Sequence, residues 1–313
     1  SRDEINSVSV VFHKQIGDLV LIEPLLARIA YAIDRPVSLA TRAHLAPVVS
    51  LMGSVAEPWK RGTRSDLLLA LDTGSETARR ALLMPARHKV VLAMHQSYLR
   101  WYHRLVFDEQ KVSSQLDRYR ALYYWQESPL GDDLDDFRPP RLKRPPEDWK
   151  GSLTVTKGGY LIAHATSAWR KKCWSQDHWR DALKAIQARY GLPILVTGGA
   201  EEWEVDYAEE LVDKVGGDCT SLAGKTNFQE YLYLLSRAAC VVSVDGSAAH
   251  LAHAFKTPSV TIFGPANYRH WHFEDEVAKV LHPEAFGDDS KAIDNIPAAA
   301  CIAAVEQLLG SGP

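Results

Sequence analysis

The chain has 313 residues, of which 46% are hydrophobic and 24% charged, and its formal net charge is −3. These proportions are typical of a soluble globular protein, and the length allows two ordinary domains. No apolar run approaches the roughly 20 residues of a membrane-spanning helix. The four cysteines lack metal-ligand spacing, which argues against a zinc site or a disulfide framework. The N-terminus does not read as a signal peptide, so we expect a cytoplasmic protein.

The two halves of the chain differ in charge. Residues 1–150 contain 22 Lys/Arg and 19 Asp/Glu, whereas residues 151–313 contain 14 and 20. A mildly basic first half and an acidic second half fit different partners for the two halves, or ordinary solvated surfaces.

In the first half, apolar strand-like runs alternate with helical patterns. This alternation predicts an α/β fold with a parallel sheet. A helix is expected over Leu19–Ile33, after the turn at Gly17–Asp18. Strands are expected at Ser7–His13 (SVSVVFH), Pro36–Thr41 (PVSLAT), Asp66–Gly74 (DLLLALDTG) and His88–His95 (HKVVLAMH).

A tract rich in proline and charge, at about residues 126–157, predicts an interdomain linker. The domains are then 1–150 and 151–313. Beyond the linker the pattern resumes, with strands at Tyr160–Ser167, Leu192–Gly199, Cys240–Asp245 and Ser259–Pro265. Helices are expected over 175–191, 201–217, 227–238, 247–255 and about 298–309, with Ser175 or Asp177 and then Asn227 as N-caps.

Three strand-to-helix corners carry the polar residues that chemistry would need. Gly17 and Asp18 follow the first strand, and an aspartate there is a general base or a helix cap. His13 and Lys14 precede it, and could orient an anionic acceptor or be ordinary loop residues.

The second corner is HATSAWRKKCW, where Thr166 and Ser167 precede Arg170, Lys171 and Lys172. Hydroxyls and cations together suit a pyrophosphate, although a solvated basic loop with core tryptophans reads the same way.

The third corner is VDGSAAH, where Asp245 ends a strand and Gly246 and Ser247 open a helix that contains His250. Free amides and small side chains at a helix start admit a diphosphate. The alternative is an aspartate N-cap followed by small residues that pack closely. The dinucleotide, P-loop, zincin and hydrolase-elbow motifs are missing from the sequence.

Taken in order, these motifs resemble glycosyltransferase family 9, the ADP-heptose:lipopolysaccharide heptosyltransferases. The resemblance is carried by IGDLVLIEPLL, LALDTG, HATS…KKCW…HW, TGGAEEWE, LAGKTNFQEYLYLLSRA and VDGSAAHLAHAFKTPSVTIFGP. It implies the GT-B architecture, in which two Rossmann-like domains with parallel sheets face each other across a cleft, and a last helix that commonly packs toward the first domain.

The resemblance also implies an inverting transfer without a metal. Asp18 matches the catalytic base and Lys172 the lysine that neutralises the departing diphosphate, with Lys171 as its substitute. The remaining matches are donor contacts at Thr166, Ser167, Thr226, Asp245, Gly246, Ser247 and His250.

A glutamate of TGGAEEWE should hold the ribose, and a one-residue insertion leaves Glu204 and Glu202 as rivals, with Glu204 preferred. Asp245-Gly246-Ser247 also departs from the usual Asp-Ser/Thr-Gly order, which puts the details of the phosphate turn in doubt.

The implied partners are a nucleotide-sugar donor, ADP-heptose or a relative, and an anionic glycolipid acceptor reached from the inner face of the membrane. The acceptor would lie in the first domain, at His13, Lys14 and Gly17, next to the basic stretch Arg79–Arg120. The aromatic residues of that stretch are expected mainly in the core. Two alternatives stay open: another nucleotide sugar or a protein acceptor, and a nucleotide-sugar-binding protein without catalysis.

Overall fold

The structure is a computed structural model that describes residues 5–114, 118–128, 130, 136–286 and 292–310. The chain divides into two compact units, residues 1–143 and 144–313. The division falls inside the tract predicted as a linker, seven residues before the predicted domain boundary.

Helices and strands alternate throughout the first unit. Its elements are β1 (Val8–Val11), α1 (Ile16–Leu21), α2 (Glu23–Ile33), β2 (Val37–Ala40), α3 (Ala46–Leu51), β3 (Ala56–Pro58), β4 (Ser65–Ala70), α4 (Ser75–Leu83), β5 (Ala86–Ala93), α5 (His103–Val106), β6 (Glu109–Val112) and α6 (Arg120–Glu127).

The second unit repeats the alternation. Its elements are β7 (Leu161–His164), α7 (Gln176–Tyr190), β8 (Ile194–Thr197), α8 (Glu202–Val215), β9 (Cys219–Ser221), α9 (Phe228–Arg237), β10 (Cys240–Val244), α10 (Ser247–Ala254), β11 (Ser259–Ile262), α11 (Tyr268–Trp271), β12 (Ala278–Leu281) and α12 (Ala298–Leu309).

Each unit contains one six-stranded sheet within the described residues, and all pairings in both sheets are parallel. The strand orders are β3-β2-β1-β4-β5-β6 and β12-β11-β10-β7-β8-β9. Both are the doubly wound order of a dinucleotide-binding fold, whose direction reverses between the first and fourth strands of the unit. The expected α/β class with two Rossmann-like domains is confirmed.

The helix predicted over Leu19–Ile33 is in fact two helices, α1 and α2, with a break at Ile22. Pro24 lies in the first turn of α2, where its missing amide proton costs no hydrogen bond. The predicted N-cap Ser175 accepts a hydrogen bond from the amide of His178, so it, and not Asp177, caps α7.

The linker tract is anchored to each unit where the structure describes it. Arg138 donates two hydrogen bonds of 2.7 Å to the buried carboxylate of Glu23 in α2. On the other side of the division, Glu147 accepts hydrogen bonds from Tyr233 and Arg237 of α9.

The core of the second unit is built around two buried tryptophans. Trp174 and Trp179 meet edge to face, with ring centroids 5.3 Å apart, and Trp174 Nε1 donates to the carbonyl of Ile296. The last helix, α12, packs against α7 and the neighbouring strands through Cys301, Ala304 and Val305. These contacts lie within the second unit.

The start of α9 offers a stability test that leaves the site residues unchanged. Asn227 Oδ1 accepts from the amide of Glu230, and Glu230 Oε2 accepts from the amide of Asn227, each at 2.9 Å. Asn227→Ala removes one half of this capping box and should cost about 1 kcal/mol of unfolding free energy. Urea unfolding followed by circular dichroism measures it, with the exposed neighbour Gln229→Ala as the matched control. Asn227→Asp keeps the acceptor and should stay near wild type; equal losses in both Asn227 variants would contradict the capping role.

Candidate functional site

The carboxyl edge of the second sheet carries the polar residues that follow three of its strands, β7, β8 and β10. β7 lies between β8 and β10, and His164 is in register with Thr197 on one side and Ser243 on the other. The chain segments that leave these strands therefore start side by side. This is the edge where open parallel sheets bind ligands.

Lys172 and Asp245 meet at this edge although they are 73 positions apart. Lys172 Nζ lies 2.6 Å from Asp245 Oδ2. The Asp245 side chain is only 6% exposed and that of Lys172 18% exposed, so the pair is largely shielded from solvent. Removing one partner of such a pair leaves a buried charge without compensation, and this strongly lowers the free energy of unfolding. Two residues matched separately by the sequence are thus one electrostatic unit.

Asp245 is not the N-cap of the following helix. The N-cap of α10 is Gly246, which makes no side-chain capping bond, and Asp245 points instead to Lys172. The first-turn amides of α10, beginning at Ser247, therefore receive no side-chain cap. A Cβ at Gly246 would meet no atom within 4 Å, so the space beside the N-cap is open.

Thr166 and Glu204 meet on the other side of β7. The Thr166 hydroxyl donates a 2.7 Å hydrogen bond to Glu204 Oε1, which also accepts from the amide of Gly199 at 3.3 Å. A side chain at Gly199 would collide with the Glu204 carboxylate, so the glycine makes room for it. Glu202 is exposed at the start of α8.

The basic loop begins after an exposed tryptophan, which the alternative interpretation of this loop places in the core. Trp169 is 59% exposed, with Lys171 Nζ 5.0 Å and Lys172 Nζ 5.1 Å from its ring centroid. Arg170 packs its guanidinium on Trp203 at 4.6 Å. The sequence shows Trp169 directly before the three cations. It does not show that Trp169 is exposed, since Trp174, five residues later, is buried.

The remaining donor-side candidates lie around these contacts. Ser167 is half-buried directly after Thr166, and Thr226 is half-buried directly before the N-cap of α9. His250 is buried in α10, its ring 6.3 Å from that of His272. Thr226 makes no hydrogen bond with the other candidates in the described part of the chain.

Two further groups lie beneath this edge. His164 shares a 2.9 Å hydrogen bond with Thr197, and burial lowers its pKa to about 4, so the ring is neutral. Tyr231 packs its ring 5.7 Å from that of His164, and burial raises the pKa of its hydroxyl. Neither was singled out from the sequence.

In the first unit, Asp18 lies in the first turn of α1. The N-cap is Gln15, so Asp18 is the third helical residue and does not cap the helix. Asp18 is half-buried in this first turn. Gly17 is buried beside it.

Asp72 holds the Asp18 turn in place, a role that the sequence reading missed. Its carboxylate accepts hydrogen bonds from the amide of His13 at 3.0 Å, the amide of Gly74 at 2.7 Å and the hydroxyl of Thr77 at 2.7 Å. One buried acid therefore ties the segment after β1 to the segment after β4. The LALDTG motif contained the signal.

A cavity of about 250 Å³ opens at the carboxyl ends of β1, β4 and β5. Lys14, one of the acceptor-side candidates, lines it. His13 precedes Lys14 in the chain, and burial lowers the pKa of its ring. The other lining residues are Leu71, Asp72, Thr73, Leu92, Met94, Tyr98, Arg120, Tyr123 and Tyr124.

Arg120 is the unexpected cation of this cavity. It is 7% exposed, and its Nε lies 3.3 Å from the Tyr124 hydroxyl. Burial alone lowers the pKa of Arg120, but Tyr124 and the carboxylate of Asp18 raise it above its ordinary value. A fixed positive charge therefore lies within electrostatic reach of Asp18.

Two features are absent from the described residues. No helix among them is long and apolar enough to cross a membrane. No group of three or more His, Cys, Asp or Glu side chains in the described ranges is arranged to hold a metal ion.

Comparison with known sequences identifies a family. Residues 61–285 match the model of glycosyltransferase family 9 (heptosyltransferase). Lipopolysaccharide heptosyltransferase 3 of Escherichia coli strain K12 is 30% identical over 169 residues, covering 49% of this chain and 47% of that protein. The chain thus spans about half the length of the curated relative it matches.

Solved structures resemble the whole chain. A family 9 glycosyl transferase from Veillonella parvula DSM 2008 has a TM-score of 0.81 at 17% identity, covering 97% of both chains. The E. coli heptosyltransferase WaaC with ADP-2-deoxy-2-fluoro heptose has a TM-score of 0.69 at 16% identity, covering 96% of this chain and 99% of that one. These matches confirm the GT-B fold class.

The family model covers well over half of the chain, and the fold agrees with it along nearly the whole length. The chain therefore belongs to glycosyltransferase family 9, the heptosyltransferases.

Proposed function

We propose that the protein is an inverting glycosyltransferase that moves a heptose from ADP-heptose to the inner core of lipopolysaccharide. The observation that carries the proposal is the Lys172–Asp245 pair beside the uncapped start of α10, in a chain of this family. A lysine and free helix amides at one sheet edge suit a sugar diphosphate.

In this proposal the diphosphate of the donor replaces Asp245 as the partner of Lys172. Its oxygens accept from Lys172 Nζ, from the first amides of α10 at Gly246 and Ser247, and from the Ser167 hydroxyl. Asp245 is then free to accept from the donor sugar, and His250 of α10 is a further contact of the donor. Lys171 is the nearby second cation.

In this proposal Glu204 binds the ribose of the donor. Its carboxylate is already held by Thr166 and Gly199, which leaves Oε2 to accept from a ribose hydroxyl. Glu202, exposed at the start of α8, makes no such contact in the described structure. Thr226 is the remaining donor-side candidate.

The transfer step is a single displacement. The acceptor oxygen attacks the anomeric carbon, the bond from that carbon to the phosphate oxygen breaks, and ADP leaves. The proton of the acceptor hydroxyl passes to Asp18. Negative charge grows on the diphosphate in the transition state, where Lys172 and the helix amides stabilise it. No metal is assigned to the reaction.

The acceptor is proposed to bind the cavity of the first unit. Lys14 and Arg120 give this cavity two cations, as an anionic glycolipid would require, and His13 and Gly17 shape the turn that carries Asp18. Such an acceptor is embedded in a membrane, so we propose a cytoplasmic enzyme that works at the inner face of the inner membrane.

Asp18→Asn tests the base. The amide cannot take a proton, so turnover should fall by about 10²–10⁴-fold or more. Donor affinity, measured by calorimetry with ADP-heptose, should stay near wild type. A matched loss of donor affinity would assign Asp18 to donor binding and remove it from the proton transfer.

Lys172→Ala should slow turnover by about 10²–10³-fold, because a positioned group for the leaving diphosphate is lost. Lys171→Ala is the matched control, since Lys171 is exposed and has no carboxylate partner in the described residues. Thermal melting of both variants separates the catalytic effect from the cost of leaving Asp245 unpaired. A larger turnover loss in Lys171→Ala would exchange the two roles.

A donor screen tests the substrate. ADP and ADP-linked sugars should raise the melting temperature, whereas UDP- and GDP-linked sugars should leave it unchanged. Stabilisation by a UDP- or GDP-sugar would point to another donor. Binding of ADP-heptose without turnover over a wide panel of glycolipid and protein acceptors would favour a non-catalytic binding protein.

A further inference from the structure

Exposed apolar side chains of the described residues concentrate in one short stretch of the first unit. Ten large hydrophobic residues are well exposed, and five of them lie between positions 82 and 105. Four of these belong to α4 and the α5 region: Leu82 is 62% exposed, Leu83 63%, Trp101 77% and Leu105 73%. The aromatic residues of Arg79–Arg120 are expected mainly in the core, but Trp101 is exposed.

These four side chains lie on elements that share one core. α4 packs against α5, and the buried cluster beneath them contains Ala78 and Ala81 of α4 and Phe107 after α5. Leu82, Leu83 and Leu105 are thus exposed on two helices that pack together, and Trp101 is exposed directly before the second helix. Solvated apolar groups gathered in this way mark an interaction site.

Arginines lie close in sequence to the apolar groups. Arg79, Arg100 and Arg104 are all exposed, and Arg79 is ion-paired with Glu76. From residue 77 to residue 107 the chain contains five arginines and one lysine but no aspartate or glutamate. We call Leu82, Leu83, Trp101 and Leu105, with these three arginines, the α4–α5 surface.

We propose that the α4–α5 surface docks the protein onto a membrane whose headgroups are anionic. Apolar side chains, with tryptophan among them, would enter the interface while the arginines remain at the level of the headgroups. Anionic lipids attract basic residues near the bilayer surface. A second copy of the chain is disfavoured, because it would bring two surfaces of the same positive charge together.

The same segment connects this surface to the acceptor cavity. Met94 and Tyr98, which line the cavity, lie between the end of β5 and Trp101. A lipid-anchored acceptor in the bilayer would then reach Lys14 and Arg120 along residues 94–101. This link to an acceptor rests on the proposed function, whereas membrane docking itself does not.

Vesicle co-sedimentation of the full chain tests the docking. Wild type should bind vesicles that contain roughly 30 mol% phosphatidylglycerol in phosphatidylcholine better than vesicles of pure phosphatidylcholine. Added salt should weaken the binding to the anionic vesicles. Trp101→Ser/Leu105→Ser should lower the partition at least tenfold, on the order expected for losing the buried apolar area. The matched control is Tyr31→Ser, since Tyr31 is 81% exposed on α2 of the same unit.

A charge pair of variants tests the second component. Arg100→Gln/Arg104→Gln should weaken binding to the anionic vesicles and flatten its salt dependence. Arg35→Gln/Arg61→Gln, which removes two exposed arginines elsewhere in the unit, should not. Equal binding by each variant and its control would overturn the proposal, as would an apolar variant that abolishes a dimer in light scattering without affecting vesicle binding.

A transfer assay separates this inference from the proposed function. Trp101→Ser/Leu105→Ser should keep wild-type turnover with a deacylated, water-soluble acceptor and lose turnover with the same acceptor in vesicles. Equal loss with both acceptors would contradict docking as the role of this surface. If wild type turns over neither acceptor but still binds vesicles, the proposed function fails while the docking inference stands.

Discussion

Parallel pairing of β7 with both β8 and β10 is the constraint on which the candidate donor site depends. Parallel strands end at one edge, so the three segments that follow must emerge together there. Lys172 and Asp245 can then close a 2.6 Å contact across 73 positions of sequence. The buried carboxylate holds the ammonium at this edge. In the proposed function, a diphosphate takes the place of that carboxylate on Lys172.

Much of the fold follows from the sequence, because buried strands carry continuous apolar runs. All eight predicted strands are present as central strands of the two sheets. The four strands that the sequence reading missed, β3, β6, β9 and β12, are the four sheet edges. Their exposed or half-exposed residues interrupt the apolar pattern, as in the sequence AEP of β3 and EQKV of β6. Edge strands of this kind are defined by their neighbours and not by local composition.

The sequence predicts which strand-to-helix turns carry the residues of the candidate site, but not which of those residues contact each other. Lys172 and Asp245 were matched separately, and only the structure pairs them. Asp72 lies in the LALDTG motif, but its contact with the amide of His13, 59 residues away, is visible only in the structure. The place of Arg120 in the cavity is likewise set by tertiary structure, and no local pattern marks it. Solvent exposure could not be predicted from the sequence either. Trp169 is exposed, whereas Trp174, five residues later, is fully buried.

The most direct test is a crystal structure of the protein with ADP-heptose or a non-hydrolysable analogue. The account predicts that the diphosphate lies within hydrogen-bonding distance of Lys172 Nζ and the Ser247 amide, and that Lys172 has left Asp245. A nucleotide bound elsewhere, with the Lys172–Asp245 contact unchanged, would contradict it.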